Sequence, residues 1–478
     1  MAVRGGRTSG GDATVLKTIA VLPFSSGGDT ASDYFAEGIT DELHSELARA
    51  QGLTVKARSV AKLFKNHSDD LASVATRLGI GTLVVGSVRR AGSRVRITAE
   101  LMRVSDNSTL WSQKFDGEER SLFVLQDSIA RAIAGALQAR LAEARGPHVA
   151  TTGTHNLAAY DLFLRGAFLV EKRDDQSVRR AIALFQRAID VDTSFARAYA
   201  ALGSALAVLQ NTPADSVSAQ ALAAVEKAIA LDSTLAEAHA ARGLALWSFR
   251  PYRWKAAESS LRHAIELDPR EAMAHKWLGD FLLSVGSVEE SVAEQRRATE
   301  VEPYLALGWS NLGLSQLVAR QFDAAITSLR HALALDASLD WVREYMAIAF
   351  LLQGKPDAAM HELAAGATTY PLDSAFHAFV FARAGHRDRA KAIARELEQR
   401  ARSSPVVSGP AGYTLLGLGD SIRALEWFIS AADADAFYPL VLASPEFDPI
   451  RSLPRYPELL RKLNLQDQPV AKLKAAGR

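Results

Sequence analysis

Across the second half of the chain, small and apolar residues return at a fixed stride. Gly279, Gly313 and Ala347 keep a constant step of 34 in the numbering, as do Ser291, Ala325 and Ala359, and Ala298, Ala332 and Gly366. Leu278, Leu312 and Met346 stand before the first set, and Pro303, Ala337 and Pro371 follow the third. A period of this length with small residues at three offsets predicts pairs of antiparallel helices. Gly or Ala at a crossing lets two backbones approach within about 8–10 Å. A single pair cannot bury its apolar face, so the pairs must stack. The end of each second helix recurs as Ala188-Ile189-Asp190-Val191-Asp192, Ala228-Ile229-Ala230-Leu231-Asp232, Ala264-Ile265-Glu266-Leu267-Asp268, Ala298-Thr299-Glu300-Val301-Glu302 and Ala332-Leu333-Ala334-Leu335-Asp336. The step between their starts shortens from 40 to 36 and then holds at 34, which puts insertions in the inner turns around 211–216 and 250–253. Beyond Pro371 the period decays into pairs over 376–402 and 412–434, then a closing helix over 457–463, as expected of units that cap an array.

The chain up to Leu141 is patterned differently. Ile19 to Phe24 is a short continuous apolar run, the mark of a strand buried on both faces. Phe35, Ile39, Leu43 and Leu47 then form one helical stripe. Residues 53–58 read as a second strand, and Leu71, Val74, Ala75 and Leu78 as a helix stopped by Gly79. Residues 82–89 and 94–104 flank Arg90-Ala91-Gly92-Ser93 and predict a hairpin, with Val95, Ile97, Ala99 and Leu101 on the packed face. A strand over 110–115 and a helix over 123–141, with Leu125, Ile129, Ile133 and Leu137 in register, complete the order β-α-β-α-β-β-β-α. The predicted fold class is an α/β domain, one sheet with packed helices, joined to an all-α superhelical solenoid.

Several of these strings resemble a known family. Ile19-Ala20-Val21-Leu22-Pro23-Phe24, Tyr34-Phe35-Ala36-Glu37-Gly38-Ile39-Thr40-Asp41-Glu42-Leu43, Gly86-Ser87-Val88-Arg89-Arg90, Arg94-Val95-Arg96-Ile97-Thr98-Ala99-Glu100-Leu101, Leu110-Trp111 and Phe123-Val124-Leu125-Gln126-Asp127 occur in the order found in the TolB amino-terminal-like domain of bacterial multidomain proteins. The resemblance spans about residues 18–141 and departs at Val85, where relatives usually carry an acid. Residues 157–371 resemble tetratricopeptide (TPR) repeats. Membership would imply an α/β domain followed by TPR repeats, often preceded in the family by a kinase, a cyclase or a winged-helix DNA-binding domain; none is expected before this one. The expected organisation is a flexible leader over 1–17, the α/β domain over 18–145, a linker over 146–156, TPR repeats over 157–371, degenerate repeats and a cap over 372–465, and a frayed tail over 466–478.

Composition narrows the chemistry. With 478 residues, more than one core is expected, and a formal charge of +1 gives no reason to expect a nucleic-acid or anionic-membrane partner. The absence of cysteine removes thiol catalysis, disulfides and zinc–thiolate sites. No apolar run reaches the roughly 20 residues of a membrane span, and the reading is of a cytoplasmic chain, or of an extracytoplasmic one should the sequence be a fragment of a membrane-tethered protein. His386-Arg387-Asp388 mimics a kinase catalytic loop, but Ile393 stands where the metal-binding Asn belongs. His361-Glu362 lacks the second histidine of a zincin helix and reads as solvated. Glu37, Asp41 and Glu42 suit a helix N-terminus, and Arg89, Arg90, Arg94, Arg96 and Arg103 suit a solvated sheet face. No catalytic residue, metal site or cofactor is expected.

What remains is a surface. The inner helix of each TPR pair should present Met273, Lys276 and Asp280 in the third repeat. Leu307, Ser310 and Leu314 follow in the fourth, and Trp341, Glu344 and Ile348 in the fifth. Apolar anchors mixed with a few charges suit an extended peptide or a partner helix. Trp341 and Tyr345 occupy the places that a clamp for C-terminal carboxylates would give to Lys and Arg. The expected function is therefore a non-catalytic protein-interaction scaffold of bacterial signalling or envelope-associated assembly. The alternative is the sensory or regulatory half of a kinase- or cyclase-associated enzyme whose α/β domain binds a small ligand.

Overall fold

The computed structural model describes residues 18–26, 33–49, 54–56, 75, 78–91, 94–118, 129, 132–133, 154, 156–170, 174–209, 214–303, 305–365, 371–437, 439 and 442–473. The expected leader, the turn at Gly92-Ser93 and most of the helices over 71–78 and 123–141 lie outside these residues, as does most of the linker. The chain divides into two compact units, residues 1–211 with 223–238, and residues 212–222 with 239–478.

The first unit holds a five-stranded sheet in the order β2-β1-β3-β4-β5, built from β1 (Thr18–Val21), β2 (Thr54–Val55), β3 (Thr82–Ala91), β4 (Arg94–Arg103) and β5 (Thr109–Glu118). β1 runs parallel to β2 and β3, while β3-β4-β5 is an antiparallel meander with Arg89 opposite Arg96. Ile19, Ala20 and Val21 are all buried, as a strand with parallel neighbours on both sides requires. Helix α1 (Asp33–Arg49) lays Ile39, Leu43 and Leu47 into the core. Thr40 fastens it, accepting from the Phe24 amide at 2.9 Å and donating to the Ala36 carbonyl at 2.8 Å. The outward positions Arg89, Arg94 and Arg96 are exposed, and Arg96 pairs across the strand with Asp116. This is the solvated face that the alternation predicts.

In the same unit the helical array begins with α2 (Leu157–Val170), α3 (Asp175–Val191) and α4 (Ala196–Ala207). Gly38 of α1 packs directly on α2, where a Cβ would meet the Leu164 side chain at 2.2 Å. Helices α5 (Ala214–Leu231) and α6 (Ala236–Ser248) carry residues of both units.

The second unit continues with α7 (Trp254–Leu267), α8 (Ala272–Val285), α9 (Val288–Val301), α10 (Ala306–Val318), α11 (Phe322–Leu335), α12 (Val342–Leu352) and α13 (Pro356–Ala364). It ends with α14 (Pro371–Arg383), α15 (Arg387–Ala401), α16 (Ser408–Leu418), α17 (Ser421–Asp433), the single turn α18 (Asp448–Arg451) and α19 (Tyr456–Lys462). Even-numbered helices from α8 to α12 are the inner members of pairs, odd-numbered ones the outer. The predicted crossings hold: a Cβ on Gly313 would stand 2.6 Å from Leu329 Cγ of the paired helix, and Ala325 and Ala332 are fully buried. Inner turns close in the left-handed region at Gly286 (φ 86°) and Gly354 (φ 74°), where glycine carries no Cβ penalty. Arg320 takes the same place in the intervening repeat, with φ 61°.

Two expectations need correction. The expected tail is structured as far as residue 473, where the turn Pro469–Lys472 buries Val470 completely against Gly286; residues 474–478 lie outside the described ones. Glu362 is buried rather than solvated, and accepts from Arg343 at 3.1 Å. His386 stands at the N-cap position of α15 in an exposed turn, with no capping hydrogen bond from its side chain.

Candidate functional site

The inner helices α8, α10 and α12 each bring three of the expected groove residues to one face, graded by depth. Met273 and Leu307, the first of their helices, are partly buried, and Trp341 just before α12 is 41% exposed. One turn further on, Lys276, Ser310 and Glu344 are buried, and one turn beyond that so are Asp280, Leu314 and Ile348. A vacant trough would leave all three rungs open to water, so the expectation of an open groove is corrected here for the deeper two.

Part of the burial is a polar network between repeats. Lys276 Nζ donates to Asp280 Oδ2 at 2.9 Å, one helical turn apart on α8. Gln295 of α9 and Asn311 of α10 donate to Asp280 Oδ1 at 2.8 and 2.7 Å. A buried carboxylate without such partners would cost several kcal/mol; three donors on one carboxylate make Asp280 the tie between two repeats. Ser291 Oγ donates to the Gly279 carbonyl at 2.8 Å and pairs with Ser315 Oγ at 2.9 Å, fixing the same three helices. Ser310 turns inward instead, donating to the Leu307 carbonyl of its own helix at 2.9 Å. Near the outer edge, His275 bridges Glu294 at 2.7 Å and the Pro269 carbonyl at 3.1 Å. Burial lowers its pKa, but those two acceptors outweigh it and hold the imidazole above its usual value.

The chain's own C-terminal segment, residues 442–473, meets the last inner helices at Tyr413. An aromatic chain runs along the inner helices from Trp341 to Tyr345, Phe376, Tyr413 and finally Phe447, with ring centroids 5.8, 5.7, 4.9 and 6.0 Å apart. Phe447 and Glu446 belong to the turn Pro445–Phe447, which ends that chain. Tyr413 Oη donates to Glu446 Oε1 at 3.2 Å, and Ser444 Oγ donates to the other oxygen. Burial pushes the Glu446 carboxyl above its ordinary range, although those hydrogen bonds and the nearby Arg451 oppose the shift. Burial likewise raises the Tyr345 phenol, with Glu344, Glu446 and Asp280 all within electrostatic reach of it. The C-terminal segment therefore closes the inner face at its Tyr413 end, with Glu446 in electrostatic reach of Tyr345.

Three inner turns hold it there. Arg250 donates to the carbonyls of Ala432 and Lys462 (3.0 Å for the latter), in the last turns of α17 and α19, where unpaired carbonyls and the helix dipole favour a cation. Trp254 Nε1 donates to the Leu463 carbonyl at 3.2 Å and Asn464 Nδ2 to that of Tyr252 at 3.0 Å. Gly286 abuts Val470, and Arg320 pairs with Asp448, which also takes Arg451. Sequence reasoning missed Gln295, Asn311, Arg320 and Glu446. The available signals were an arginine breaking the Gly286–Gly354 series and the proline-bounded string Pro445-Glu446-Phe447-Asp448-Pro449.

Among the described residues no group of three or more His, Asp or Glu side chains could hold a metal ion, and no helix is long and apolar enough to cross a membrane. Residues 15–132 match the family model of the second domain of HilA/YgeH-like transcriptional regulators. A curated relative, putative adenylate cyclase 3 of Rhizobium meliloti, is 32% identical over 186 residues, covering 39% of this chain. The chain spans 32% of that relative's length. Among solved structures, that of Pseudomonas aeruginosa pilF is 24% identical with a TM-score of 0.36, covering 45% of this chain and 93% of its own. A TPR protein of Thermus thermophilus is 20% identical with a TM-score of 0.35, covering 41% and 100%. These likenesses are partial; the TPR character of the array rests on its own constant stride of paired helices.

Proposed function

We propose that the protein is a non-catalytic interaction scaffold, working in the cytoplasm in bacterial signalling or envelope-associated assembly. In this reading an α/β domain of the TolB amino-terminal-like kind is carried on a TPR array whose inner-helix face receives a peptide or helix of a partner protein. Met273, Leu307 and Trp341 make the accessible rim of that face, and Lys276, Asp280, Ser310, Leu314, Glu344 and Ile348 its packed floor. One observation carries the reading: the inner turns and the last inner helix already hold a protein segment, the chain's own residues 444–473, by aromatic, charged and backbone contacts. Such mixed contacts are how proteins recognise peptides.

A photo-reactive side chain placed at Trp341 on the exposed rim, and as a control at Thr327 on the outer face, tests it in the full chain. A defined protein should crosslink to position 341 and not to 327. Equal crosslinking at both positions, or none at either, would sink the proposal. A second reading is favoured by the likeness to a putative adenylate cyclase. Here the chain is the regulatory half of a signalling enzyme, and its α/β domain binds a small ligand. A thermal shift of the full chain with nucleoside triphosphates would support that one, and no shift would remove it.

A further inference from the structure

Gly286, Arg320 and Gly354 occupy one structural place in three consecutive repeats, and all three are left-handed. Two are glycine, as the backbone prefers; the third is an arginine held at a φ that side chains disfavour. Strain of this kind persists where surroundings enforce it and marks positions with a job. The Arg320 guanidinium reaches Asp448, 128 residues away in sequence. Beside that clasp, Phe447 lies between Tyr413 and Phe428, with centroids 6.0 and 5.3 Å away, and Glu446 accepts from Tyr413. The segment so held, Pro445-Glu446-Phe447-Asp448-Pro449, is an aromatic residue between two carboxylates, with a proline on either side restricting the unbound conformations.

We propose that residues 444–451 are a releasable latch, an internal copy of the ligand that the inner face is built to take. The external occupant is then a partner's segment with the same chemistry: an aromatic side chain flanked by two carboxylates and bounded by prolines. Its aromatic ring enters the Tyr413–Phe428 pocket, one carboxylate meets Arg320, and the other meets the Tyr413 hydroxyl. The proposal rests on the scaffold reading above and adds the ligand's chemistry and the means of its exclusion. Tethering gives the internal copy an effective concentration in the millimolar range, so a free peptide finds no site until the clasp is weakened. Leu459, Leu460, Leu463 and Leu465 anchor the remainder of the segment; Ser444, Glu446, Phe447 and Ile450 are buried as well, so the latch stays open only when a partner segment replaces the contacts it gives up.

The test uses the full chain and a fluorescent peptide with the sequence of residues 444–452. Asp448→Ala removes the latch's own carboxylate and leaves Arg320 in place; Arg451 loses the same carboxylate but keeps the carbonyls of Leu442 and Ser444, and Arg320→Gly leaves the Arg451–Asp448 pair untouched. Arg320→Gly removes the receptor cation and puts at that turn the residue its neighbours carry, so misfolding does not confound it. Amide hydrogen exchange of 444–451 should rise at least tenfold in both variants while α10 and α12 stay protected. The peptide should bind Asp448→Ala at least tenfold more tightly than wild type, bind Arg320→Gly no better than wild type, and lose its gain when its own Asp is replaced by Ala. Unchanged exchange in both variants overturns the latch. Raised exchange without peptide binding overturns the proposed ligand chemistry. Dimers of Asp448→Ala in place of peptide binding would overturn an external partner in favour of exchange between copies. A partner crosslinked at position 341 alongside any of these failures leaves the scaffold reading standing and removes only the latch.

Discussion

At the scale of single residues, small and polar positions decide how the repeats are joined. Ala325 is fully buried at a helix crossing, whereas Thr327 on the same helix is exposed. Ala325→Leu should cost about 1–3 kcal/mol by overpacking, and Thr327→Leu should stay within about 0.5 kcal/mol; thermal denaturation of the pair checks the register. The turn glycines separate backbone strain from contact. Gly354→Ala meets no neighbour within 4 Å and should cost about 1–2 kcal/mol, for its left-handed φ alone. Gly286→Ala carries that cost and also drives a methyl to 2.6 Å from the Val470 nitrogen, so it should cost measurably more and expose residues 469–472 to exchange. His275 supplies a pH dependence. Its folded pKa lies above 6.5, so its contribution is fully present below that value and is lost as pH rises through the raised one. His275→Gln should flatten the melting temperature across that window.

At the scale of elements, what could be read from the residues and what could not divide along physical lines. Helix pairing was legible because it depends on local steric rules. Gly313 must be small where Leu329 crosses, and that demand returns once in every repeat regardless of what lies elsewhere. Strand pairing was legible where alternation was clean, as in Val95, Ile97, Ala99 and Leu101. The burial of the inner face was not legible, because it depends on partners from other helices, and the clasps on the C-terminal segment lie further off still, 128 to 212 residues apart at Arg320–Asp448 and Arg250–Lys462. Lys276 and Asp280 illustrate the difference: their spacing put them on one helix face, but nothing local marked Asn311 or Gln295 as the partners that allow the carboxylate to be buried. Glu362, expected in water, was missed for the same reason: its partner Arg343 comes from the preceding helix.

At the scale of the whole molecule, the C-terminal segment is the element with the most to lose on ionisation. Glu446 is buried beside Tyr413, Ser444 and Arg451, with Tyr345 near it, and its folded pKa lies above 4.5. The stabilisation it gives is complete below 4.5 and declines as pH rises through the raised value, so at neutral pH the ionised carboxylate weakens the packing around it. Glu446→Gln should therefore raise the melting temperature near neutrality and abolish the acid-side gain; a lower melting temperature at every pH would mean that the charge itself is needed.

Arg250 carries a different implication. An array whose units touch only their neighbours tolerates gain or loss of a unit and can unravel from either end. Here a guanidinium grips carbonyls 182 and 212 positions downstream, so the number of intervening pairs is set by the grip. Excising one whole repeat between positions 272 and 335 would leave that cation facing nothing. The second unit should accordingly melt as one cooperative block, slow to form because its closing bonds span so much chain.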